Sequence, residues 1–477
     1  MPDWLQHAWS SFTAIDNLGA WLAMGWLAYL VGLGGWIILQ KREPVATISW
    51  LLGLAALPYV GFLIYFFFGP QRIQRKQLRR QKAKESLMAP ERDRSNQEVI
   101  ELGRLGQAVC KLPTSRATRV ELLVDGAKKY DRLVEAIGQA RHHVHMEYYI
   151  YAPDQTGDRV LEALAERARA GVKVRLLLDA MGSIKVTKAY LKPLLDAGGE
   201  FCWFHPTKPW TISRPWINLR SHRKIAVMDG KIGFAGGINI TDDENEEVSD
   251  EAFRDLHMRI EGDVVDSLQL VFLEDWAYAT GDPAPTGPEL FPDGPEGDIP
   301  AQVLASGPDS NWEAIHRLQV ATIYAASERV WLVTPYFVPG EAAMMALTSA
   351  ALAGLDVRLL IPKKSDSRMV TQAARSYFDE LMEAGIKVYE YGPRMLHTKA
   401  LLVDDSTCIL GSANFDHRSF RLNFEVAVLI DDKATARELA QLIEHEIANS
   451  VRVQDGRRSF WRHRLPEALA RLFSPML

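Results

Sequence analysis

The chain has 477 residues, of which 47% are hydrophobic and 24% charged, and its formal net charge is −5. This length leaves room for about three domains, and the composition excludes a disordered, collagen-like or coiled-coil protein. The three cysteines, Cys110, Cys202 and Cys408, lack CxxC spacing. They therefore support neither a disulfide framework nor a cysteine-rich zinc site.

Two long uncharged segments lie near the start of the chain. Residues 17–40 and 45–71 contain no charged side chain over 24 and 27 positions. Both exceed the ~20 residues that a helix needs to cross a bilayer. The segments are too long for the apolar part of a signal peptide, and residues 1–16 contain no Lys or Arg. We predict a transmembrane hairpin in residues 1–70, with helices at about 17–40 and 45–69.

A basic segment follows the second apolar segment. Residues 72–84 contain seven Lys and Arg, against two in the connecting loop 41–44. The positive-inside rule then places the N-terminus and everything after residue 71 on the cytoplasmic side. We interpret residues 71–117 as a basic juxtamembrane linker that contacts anionic lipid, with a solvated linker as the alternative.

The mild net charge conceals an uneven distribution. Residues 72–94 carry a net charge of +6, whereas residues 95–477 carry −10. Proteins that bind nucleic acid neutralise many phosphates with basic side chains. The acidic net charge of residues 95–477 therefore argues against a nucleic-acid partner.

The remainder of the chain contains an internal duplication. Residues 170–178, Ala-Gly-Val-Lys-Val-Arg-Leu-Leu-Leu, match residues 353–361, Ala-Gly-Leu-Asp-Val-Arg-Leu-Leu-Ile. Each follows a helical pattern and is typical of a buried parallel strand, with 144–149 and 330–335 as the preceding strands. The fold class is therefore α/β. We predict two similar α/β domains at 118–285 and 298–477, joined by a linker rich in Pro and Gly.

Each half carries the same polar motif at an offset of 175 residues. A single HxKxxxxD match is a weak signal, but two copies at matching places in duplicated halves are not explained by chance. The two sets are His222, Lys224, Asp229, Gly236, Gly237 and Asn239, and His397, Lys399, Asp404, Gly411, Ser412 and Asn414.

In each copy the HxK segment opens a strand, so that the histidine and the lysine project to the same side. Asp229-Gly230 predicts a two-residue hairpin turn that pairs residue 227 with 232 and returns Gly237 beside the histidine. Glycine there would let a phosphate approach the backbone. The neutral donors expected beside the phosphate are Asn239, Asn414 and Ser412.

The same geometry separates the motif aspartates from the histidines. Asp229 lies seven residues after its histidine, about 23 Å along a strand at ~3.3 Å per residue. We expect the aspartates to fix the hairpin or the interface between the halves. Carboxylates in later strands are better placed to orient the imidazoles. We predict that Asp255 contacts His222 and that Glu425 contacts His397.

These motifs, with Asn-Leu-Arg-Ser-His-Arg-Lys, Thr-Pro-Tyr-Phe-Val-Pro and Leu-Asn-Phe-Glu, resemble those of the phospholipase D superfamily. Within it, the N-terminal hairpin makes the chain similar to bacterial cardiolipin synthases of the two-transmembrane class. The resemblance covers essentially the whole chain, and it implies two phospholipase D-like domains that form one pseudo-twofold unit. The six motif positions that it marks as catalytic are His222, Lys224, Asp229, His397, Lys399 and Asp404.

The resemblance implies a ping-pong transfer in one site, in which two phosphatidylglycerols give cardiolipin and glycerol. By family analogy His222 is the nucleophile that forms a phosphohistidine, and His397 is the acid and base. The two motif copies are nearly equivalent, so the sequence leaves the opposite assignment open. Lysines and asparagines of both motifs would hold the phosphate oxygens, without metal or cofactor. The implied location is the bacterial inner (cytoplasmic) membrane, as a multi-pass protein with its catalytic domains on the cytoplasmic side.

Two other enzymatic functions stay open. A phospholipase D hydrolase would share every catalytic residue and release the intermediate to water. A membrane-tethered phosphodiesterase acting on nucleic acid is disfavoured by the acidic body and the hairpin, and a scaffold would not need six intact motif positions. The expected partners are phosphatidylglycerol and membrane lipid, without nucleic acid, and the oligomeric state is left open.

Four further segments have competing interpretations. About 11 extra residues precede His222, so that 206–220 is either a flap that contacts lipid or an ordinary surface loop. Residues 457–473 are basic and amphipathic, which suits either a membrane-surface helix or packing against the domain. The histidines at 142, 143 and 145 lack the carboxylate or cysteine frame of a metal site. The acidic residues 242–247 are most simply a solvated loop, and the alternative is a segment after Asn239 that repels nucleic acid or binds a cation at the rim of the site.

Overall fold

The computed structural model describes residues 18–39, 44–57, 101–206, 219–310, 312–454 and 464–472. These residues belong to two compact units. One contains the two N-terminal helices. The other contains the described residues from 101 onward and is called the body below.

The N-terminal unit consists of helices α1 (Leu18–Leu39) and α2 (Pro44–Ala56). Ile37 and Leu54 are buried in a small apolar cluster that these helices form. The helices coincide with the predicted positions 17–40 and 45–69 as far as the structure describes them, since residues 58–100 lie outside the described residues. Among the described residues, no helix combines the length and the apolar character needed to span a membrane. The transmembrane hairpin therefore stays a prediction.

The body is built from helices and strands that alternate along the chain. Its helices are α3 (Glu101–Cys110), α4 (Gly126–Gln139), α5 (Gln155–Arg169), α6 (Lys192–Asp196), α7 (Val264–Thr280), α8 (Ala314–Tyr324), α9 (Glu341–Leu352), α10 (Arg368–Arg375), α11 (Phe378–Glu383), α12 (His417–Arg421), α13 (Lys433–Ala448) and α14 (Leu465–Leu472). Short 3₁₀ turns lie at Asp242–Glu244 and Pro288–Leu290.

The strands of the first half are β1 (Ser115–Ala117), β2 (Arg119–Val124), β3 (His143–Tyr148), β4 (Lys173–Asp179), β5 (Glu200–Phe204), β6 (Arg220–Ser221), β7 (Ile225–Met228), β8 (Ile232–Gly236) and β9 (Leu256–Glu261). Those of the second half are β10 (Ile299–Ser306), β11 (Arg329–Val333), β12 (Phe337–Val338), β13 (Asp356–Pro362), β14 (Lys387–Tyr391), β15 (Ala400–Val403), β16 (Thr407–Gly411), β17 (Phe415–Asp416), β18 (Asn423–Asp431) and β19 (Ser450–Arg452).

The two halves repeat the same sheet. In the first, the strand order is β2-β9-β8-β7-β3-β4-β5, and in the second the corresponding order is β10-β18-β16-β15-β11-β13-β14, extended by β1 and β19 at its edges. The β3, β4 and β5 strands run parallel, as do β11, β13 and β14. The duplicated α/β fold predicted from the repeated Ala-Gly-x-x-Val-Arg-Leu-Leu segments is therefore confirmed.

The hairpins that carry the motifs have a different register from the predicted one. Met228 pairs with Ile232, and Val403 pairs with Thr407, so each turn contains three residues rather than two. The predicted pairing of 227 with 232 is therefore wrong by one residue. Asp229 adopts a positive φ of 54°, and the N–H of Lys231 donates to the carbonyl of Met228 at 3.0 Å. Lys231 is therefore the third residue of the turn, and the pairing of β7 with β8 begins at Met228 and Ile232.

The end of the predicted linker is part of the body. The α3 helix places Leu102, Leu105 and Val109 against the core, with the spacing of one helix face. The β1 strand pairs antiparallel with β10. Residues 101–117 therefore complete the second sheet, and the interpretation of 71–117 as a linker is wrong for this part. Residues 71–100 lie outside the described residues.

The two sheets share one core. Its largest cluster includes Ile225 and Val227 from the first half and Val330 and Leu402 from the second. The α7 helix is buried along most of its length and packs against strands of both sheets. The halves are consequently held face to face, which fixes the ends of their motif strands relative to each other.

Two of the segments with competing interpretations are described only in part. Residues 207–218, which include most of the proposed flap, lie outside the described residues. The α14 helix packs against α10 with one face and exposes Leu469 and Leu472, so both interpretations of 457–473 stay open, and residues 455–463 lie outside the described residues.

Candidate active site

The chain leading into each motif histidine pairs with the opposite half. The β6 strand pairs in parallel with Asn423 and Phe424 of β18, and the backbone N–H of His222 donates to the carbonyl of Phe424 at 2.9 Å. In the second half, the backbone N–H of His397 donates to the carbonyl of Arg254 at 2.7 Å. The two histidines therefore enter one site from opposite sides of the interface.

Each imidazole is oriented by a carboxylate from the other half. His222 Nδ1 lies 3.0 Å from Oε2 of Glu425, and His397 Nδ1 lies 2.6 Å from Oδ2 of Asp255. Both carboxylates therefore orient the histidines as predicted. The predicted pairing, Asp255 with His222 and Glu425 with His397, is wrong.

The order of strands in each sheet explains why each carboxylate contacts the histidine of the other half. The strands β9 and β7 are separated by β8, and β18 and β15 are separated by β16. With neighbouring strands ~4.8 Å apart, a carboxylate in the same sheet lies about 10 Å from its own histidine strand. Across the interface, Arg254 and Phe424 pair with the segments that lead into the opposite histidines. The residues that follow them, Asp255 and Glu425, therefore reach the imidazole of the other half.

Both histidines line a cavity of about 400 Å³. Since Nδ1 of each ring faces a carboxylate, Nε2 is the nitrogen left to contact a substrate. The residues that line the cavity are Tyr149, Ile150, Arg220, His222, Asn239, Glu244, Phe253, Tyr336, Asp366, Val370, His397, Asn414, Asp416, Arg418 and Asn423.

Burial sets the protonation of the first histidine and its carboxylate. Burial lowers the pKa of His222 to about 4, although the neighbouring Glu425 acts to raise it. Burial alone would raise the pKa of Glu425, but His222, Lys224 and the Ser412 hydroxyl hold it below its ordinary value. At neutral pH His222 is therefore an uncharged imidazole facing an ionised carboxylate, which leaves a lone pair on Nε2.

The carboxylate of the second pair is also ionised. Burial would raise the pKa of Asp255, but Lys399 and His397 hold it below its ordinary value. Its second oxygen accepts the backbone N–H of Leu256 at 2.7 Å. An ionised Asp255 therefore accepts from Nδ1 of His397 and fixes the orientation of its ring.

The two motif lysines are buried behind the histidines. Lys224 Nζ donates to the carbonyl of His222 at 2.7 Å, and Lys399 Nζ donates to the carbonyl of His397. Burial lowers the pKa of Lys224 to about 7 and also lowers that of Lys399. Each ammonium group thus contacts the main chain of its own histidine, and the projection of both side chains toward one ligand stays a prediction.

The two motif asparagines reach the cavity in similar settings. The backbone N–H and the side-chain Nδ2 of Asn239 each donate to Glu244 at 2.7 Å. The backbone N–H of Asn414 donates to Ser419 Oγ at 3.1 Å. Glu244 and Ser419 are 175 residues apart, as are the two motifs, so they occupy equivalent positions. A carboxylate thus holds the asparagine of the first half, and a hydroxyl holds that of the second.

Glu244 was missed by sequence reasoning, because the acidic residues 242–247 were interpreted as a solvated loop. In the structure Glu244 is buried and lines the cavity, while Asp242 accepts the N–H of Thr156 at 2.8 Å near the start of α5. A weak signal was available, since extending the 175-residue offset beyond Asn239 aligns Glu244 with Ser419, five residues after the end of the second motif.

Gly237 and Ser412 support the carboxylates instead of contacting substrate. A Cβ on Gly237 would lie 2.3 Å from Oδ1 of Asp255, so glycine leaves the space that this carboxylate fills. The hydroxyl of Ser412 donates to Oε2 of Glu425 at 2.5 Å. Neither residue lines the cavity. Their predicted role in substrate binding is therefore replaced by a positioning role.

The motif aspartates lie at the hairpin turns, at the opposite end of the strands from the histidines. The carboxylate of Asp229 accepts the backbone N–H groups of Arg141, His142 and His143 at 2.8–2.9 Å. Asp404 accepts the corresponding N–H groups of residues 327–329. They fix the hairpins as expected, but they anchor β3 and β11, not the interface between the halves. Asp229 and Asp404 are therefore not catalytic residues in the sense of contacting substrate.

Two tyrosines and two arginines of the cavity wall were not predicted as site residues. The Tyr149 ring lies 5.0 Å from that of His222, and the Tyr336 ring lies 6.4 Å from that of His397. Arg220 and Arg418 line the same cavity. Tyr149 ends the first repeated strand segment and Tyr336 lies in Thr-Pro-Tyr-Phe, so only their position at strand ends could have indicated them.

One group of side chains has the spacing of metal ligands. Among the described residues, Glu244, Asp255 and His397 place ligand atoms within 4.8 Å of one another. Asp255 already accepts from His397, and Lys399 Nζ lies 3.5 Å from it. These carboxylates are therefore engaged by protein donors and by an ammonium group. Away from this group, His143 and His145 each contact Gln269 at 3.2 Å.

Comparison with known proteins agrees with the geometry. The protein-family model "Cardiolipin synthase, PLD-like domain" matches residues 133–276 and 320–447, which together exceed half of the chain. The chain belongs to this family. A second family model, "Phospholipase_D-nuclease N-terminal", matches residues 24–70.

Curated relatives extend over nearly the whole chain. It is 37% identical to the cardiolipin synthase of Halalkalibacterium halodurans, with 98% of each chain covered. It is 40% identical to that of Geobacillus kaustophilus, covering 92% of this chain and 91% of the relative. The crystal structure of phosphatidylserine synthase from Haemophilus influenzae has the same fold, with a TM-score of 0.59 at 15% identity, covering 79% of this chain and 98% of that one.

Proposed function

We propose that this protein is a cardiolipin synthase, which transfers a phosphatidyl group from one phosphatidylglycerol to another and releases glycerol. The observation that carries the proposal is the pair of histidines in one cavity, each held by a carboxylate of the other half. Such a pair supplies a nucleophile and an acid to a single phosphate. The relatives named cardiolipin synthase, which align over nearly the full chain, support the choice of reaction.

In the first half-reaction, Nε2 of His222 attacks the phosphorus of a phosphatidylglycerol. The phosphorus–oxygen bond to the headgroup glycerol breaks, and protonated His397 gives its proton to that oxygen. The low pKa of His222 supports this assignment, because the ring is uncharged and its Nε2 lone pair is available. Asp255 stabilises the charge of His397 before the transfer.

In the second half-reaction, the roles of the two histidines reverse. Neutral His397 removes a proton from a hydroxyl of the second phosphatidylglycerol, and the oxygen attacks the phosphorus. The phosphorus–nitrogen bond to His222 breaks, and cardiolipin forms. In both steps the ammonium groups of Lys224 and Lys399, which are buried behind the histidines and do not line the cavity, stabilise the negative charge of the phosphate through space.

The reaction is proposed to proceed without a metal ion. Glu244 and Asp255 have the spacing of ligands, but both already accept short hydrogen bonds from the protein. Two buried lysines lie beside them and carry the positive charge that a metal would otherwise supply. A divalent cation would have to displace these donors in the presence of two ammonium groups.

The membrane placement belongs to the same proposal. Residues 17–40 and 45–69 would form a transmembrane hairpin, with the basic residues after 71 and the body on the cytoplasmic side of the bacterial inner membrane. The match of residues 24–70 to the N-terminal family model supports a shared segment at this position. Such an anchor would keep the cavity close to its lipid substrates.

The products test the proposed function. The purified full chain in mixed micelles with phosphatidylglycerol should form cardiolipin and glycerol in equal amounts. The His222→Ala and His397→Ala variants should each abolish both products. Phosphatidic acid in place of cardiolipin would show a hydrolase, and inertness toward lipid together with cleavage of DNA would show a nuclease.

A further inference from the structure

Two loops at equivalent places border the cavity. One follows β4 and spans residues 180–191, and the other follows β13 and leads into α10. In the first loop, the hydroxyl of Ser183 donates to the carbonyl of Tyr149 at 2.9 Å. In the second, Asp366 accepts the Tyr336 hydroxyl at 2.8 Å. Asp366 of the second loop lines the cavity itself, and the first loop packs against the backbone of Tyr149, which lines the cavity. We refer to them as the rim loops.

These rim loops expose large apolar side chains. Ile184 is 65% exposed and Met181 42% exposed on the first loop, and Met369 is 45% exposed at the start of α10. The α14 helix, which packs against α10, exposes Leu469 and Leu472 three residues apart on one face. Large exposed apolar side chains on segments next to a cavity are typical of a surface that another apolar phase covers.

The apolar residues are accompanied by basic ones. Lys185 and Lys188 are exposed beside Ile184, and residues 180–195 contain no acidic side chain. Lys363, Lys364 and Arg368 are exposed on the second loop. This rim is basic although residues 95–477 as a whole carry a net charge of −10. Apolar side chains next to exposed lysines are the composition that binds an anionic lipid surface.

We propose that the two rim loops and α14 dock on an anionic bilayer and bring the cavity mouth to the level of the lipid headgroups. The inference rests on the proposed function, in which the substrate is a lipid. The histidines are buried, so a phosphate must enter the cavity while its acyl chains stay in the membrane. Docking by Ile184, Met181 and Met369 shortens the distance that the headgroup travels.

A depth measurement tests the docking directly. Cys202→Ser leaves buried Cys110 and Cys408, and Ile184→Cys then carries an environment-sensitive fluorophore in the full chain. The matched control is Leu352→Cys, which is 74% exposed at the end of α9, before the start of β13, whereas the second loop follows the end of the same strand. In phosphatidylglycerol vesicles with brominated acyl chains, the label at 184 should lose its emission and the label at 352 should keep it.

A kinetic measurement provides the second test. The double variant Ile184→Ser and Met369→Ser should lower kcat/KM for phosphatidylglycerol in vesicles by about tenfold. The same variant should leave kcat/KM for a water-soluble, short-chain phosphatidylglycerol unchanged, and Leu352→Ser should change neither rate. Lys185→Gln with Lys188→Gln should weaken the vesicle reaction most at low salt, where exposed charges are least screened.

Three results would overturn the docking proposal. The label at 184 could keep its full emission in brominated vesicles, or both labels could be quenched equally. The label at 184 could be shielded already in detergent in a way that depends on protein concentration, which would show that a second copy covers the loops. Because quenching needs no turnover, these outcomes differ from a failure of the proposed function, which would show as an absence of cardiolipin.

Discussion

The carboxylate of Glu425 lies 3.0 Å from Nδ1 of His222, a residue 203 positions earlier in the other half of the fold. The reciprocal contact, Asp255 to His397, spans 142 positions. Each half therefore supplies a histidine that only the other half can orient. This exchange explains why two copies of the motif form one site and not two.

Neutralising either carboxylate tests the exchanged pairing. Glu425→Gln and Asp255→Asn should each lower kcat/KM by about 10²- to 10⁴-fold, because a wrongly oriented imidazole transfers protons poorly. Glu390→Gln, in β14 and bonded to Arg375, is the matched control and should retain activity. Histidine NMR should show that Glu425→Gln shifts His222 and that Asp255→Asn shifts His397. The opposite assignment would restore the pairing within each half.

The pH dependence of kcat/KM should reflect the two shifted groups of the first motif. His222 must be neutral to attack, and since burial lowers its pKa to about 4, activity should fall as the pH drops toward that value. Lys224 must be an ammonium group, and since burial lowers its pKa to about 7, activity should fall as the pH rises through that value.

The Lys224→Arg variant separates this lysine from other groups in the pH profile. A guanidinium stays charged well above neutral pH, so the basic limb should move upward although the maximal rate is lower. A basic limb that is unchanged in Lys224→Arg would assign it to another group.

Substitutions at Gly237 and Ser412 test whether these residues hold the carboxylates of Asp255 and Glu425 in place. Gly237→Ala places a Cβ 2.3 Å from Asp255 Oδ1. This should displace the partner of His397 and lower kcat by about 10²-fold. Ser412→Ala at the equivalent position removes one of several donors to Glu425 and should cost only about tenfold. Equal activity of the Gly237→Ala variant and the wild type would refute the positioning role of this glycine.

The motif aspartates should affect stability more than catalysis. Asp229→Ala removes a carboxylate that accepts three N–H groups and should cost about 3 kcal/mol of unfolding free energy. Asp229→Asn should be milder, because asparagine tolerates the positive φ and keeps one acceptor oxygen. Thermal unfolding of the full chain in detergent measures the difference.

The turn between β15 and β16 offers Asp405 as a control for the stability effect of replacing Asp404. Asp405 is exposed and forms a surface ion pair with Arg329, so Asp405→Ala should change the thermal midpoint little, whereas Asp404→Ala should lower it. The folded fraction of the Asp404→Ala variant should keep near-normal kcat. A folded Asp404→Ala protein without activity would return this aspartate to the catalytic residues.

Local patterns in the sequence were sufficient for the architecture. The repeated Ala-Gly-x-x-Val-Arg-Leu-Leu segments predicted the parallel strands β4 and β13, because a buried strand must be apolar on both faces. The HxK spacing correctly placed Lys224 beside His222. These predictions depend only on neighbours within one strand or one βαβ unit.

Features that depend on distant contacts could not be predicted. The partner of His222 is decided by how β6 pairs with β18 across the interface, and nothing within either half specifies that pairing. The one-residue error in the hairpin register arose because Asp229 adopts a positive φ in a three-residue turn. Glu244 was mistaken for a surface residue because its burial depends on Asn239 and the opposite half.

The most direct test of one site shared by both halves is to trap the covalent intermediate. The full chain is mixed with phosphatidylglycerol that carries a labelled phosphate, quenched at alkaline pH, digested and sequenced by mass spectrometry. The account predicts a phosphatidyl group on His222 alone, its loss in His222→Ala, and its failure to turn over to cardiolipin when His397 is replaced. A label on His397, or labels on both histidines that form independently of each other, would contradict it.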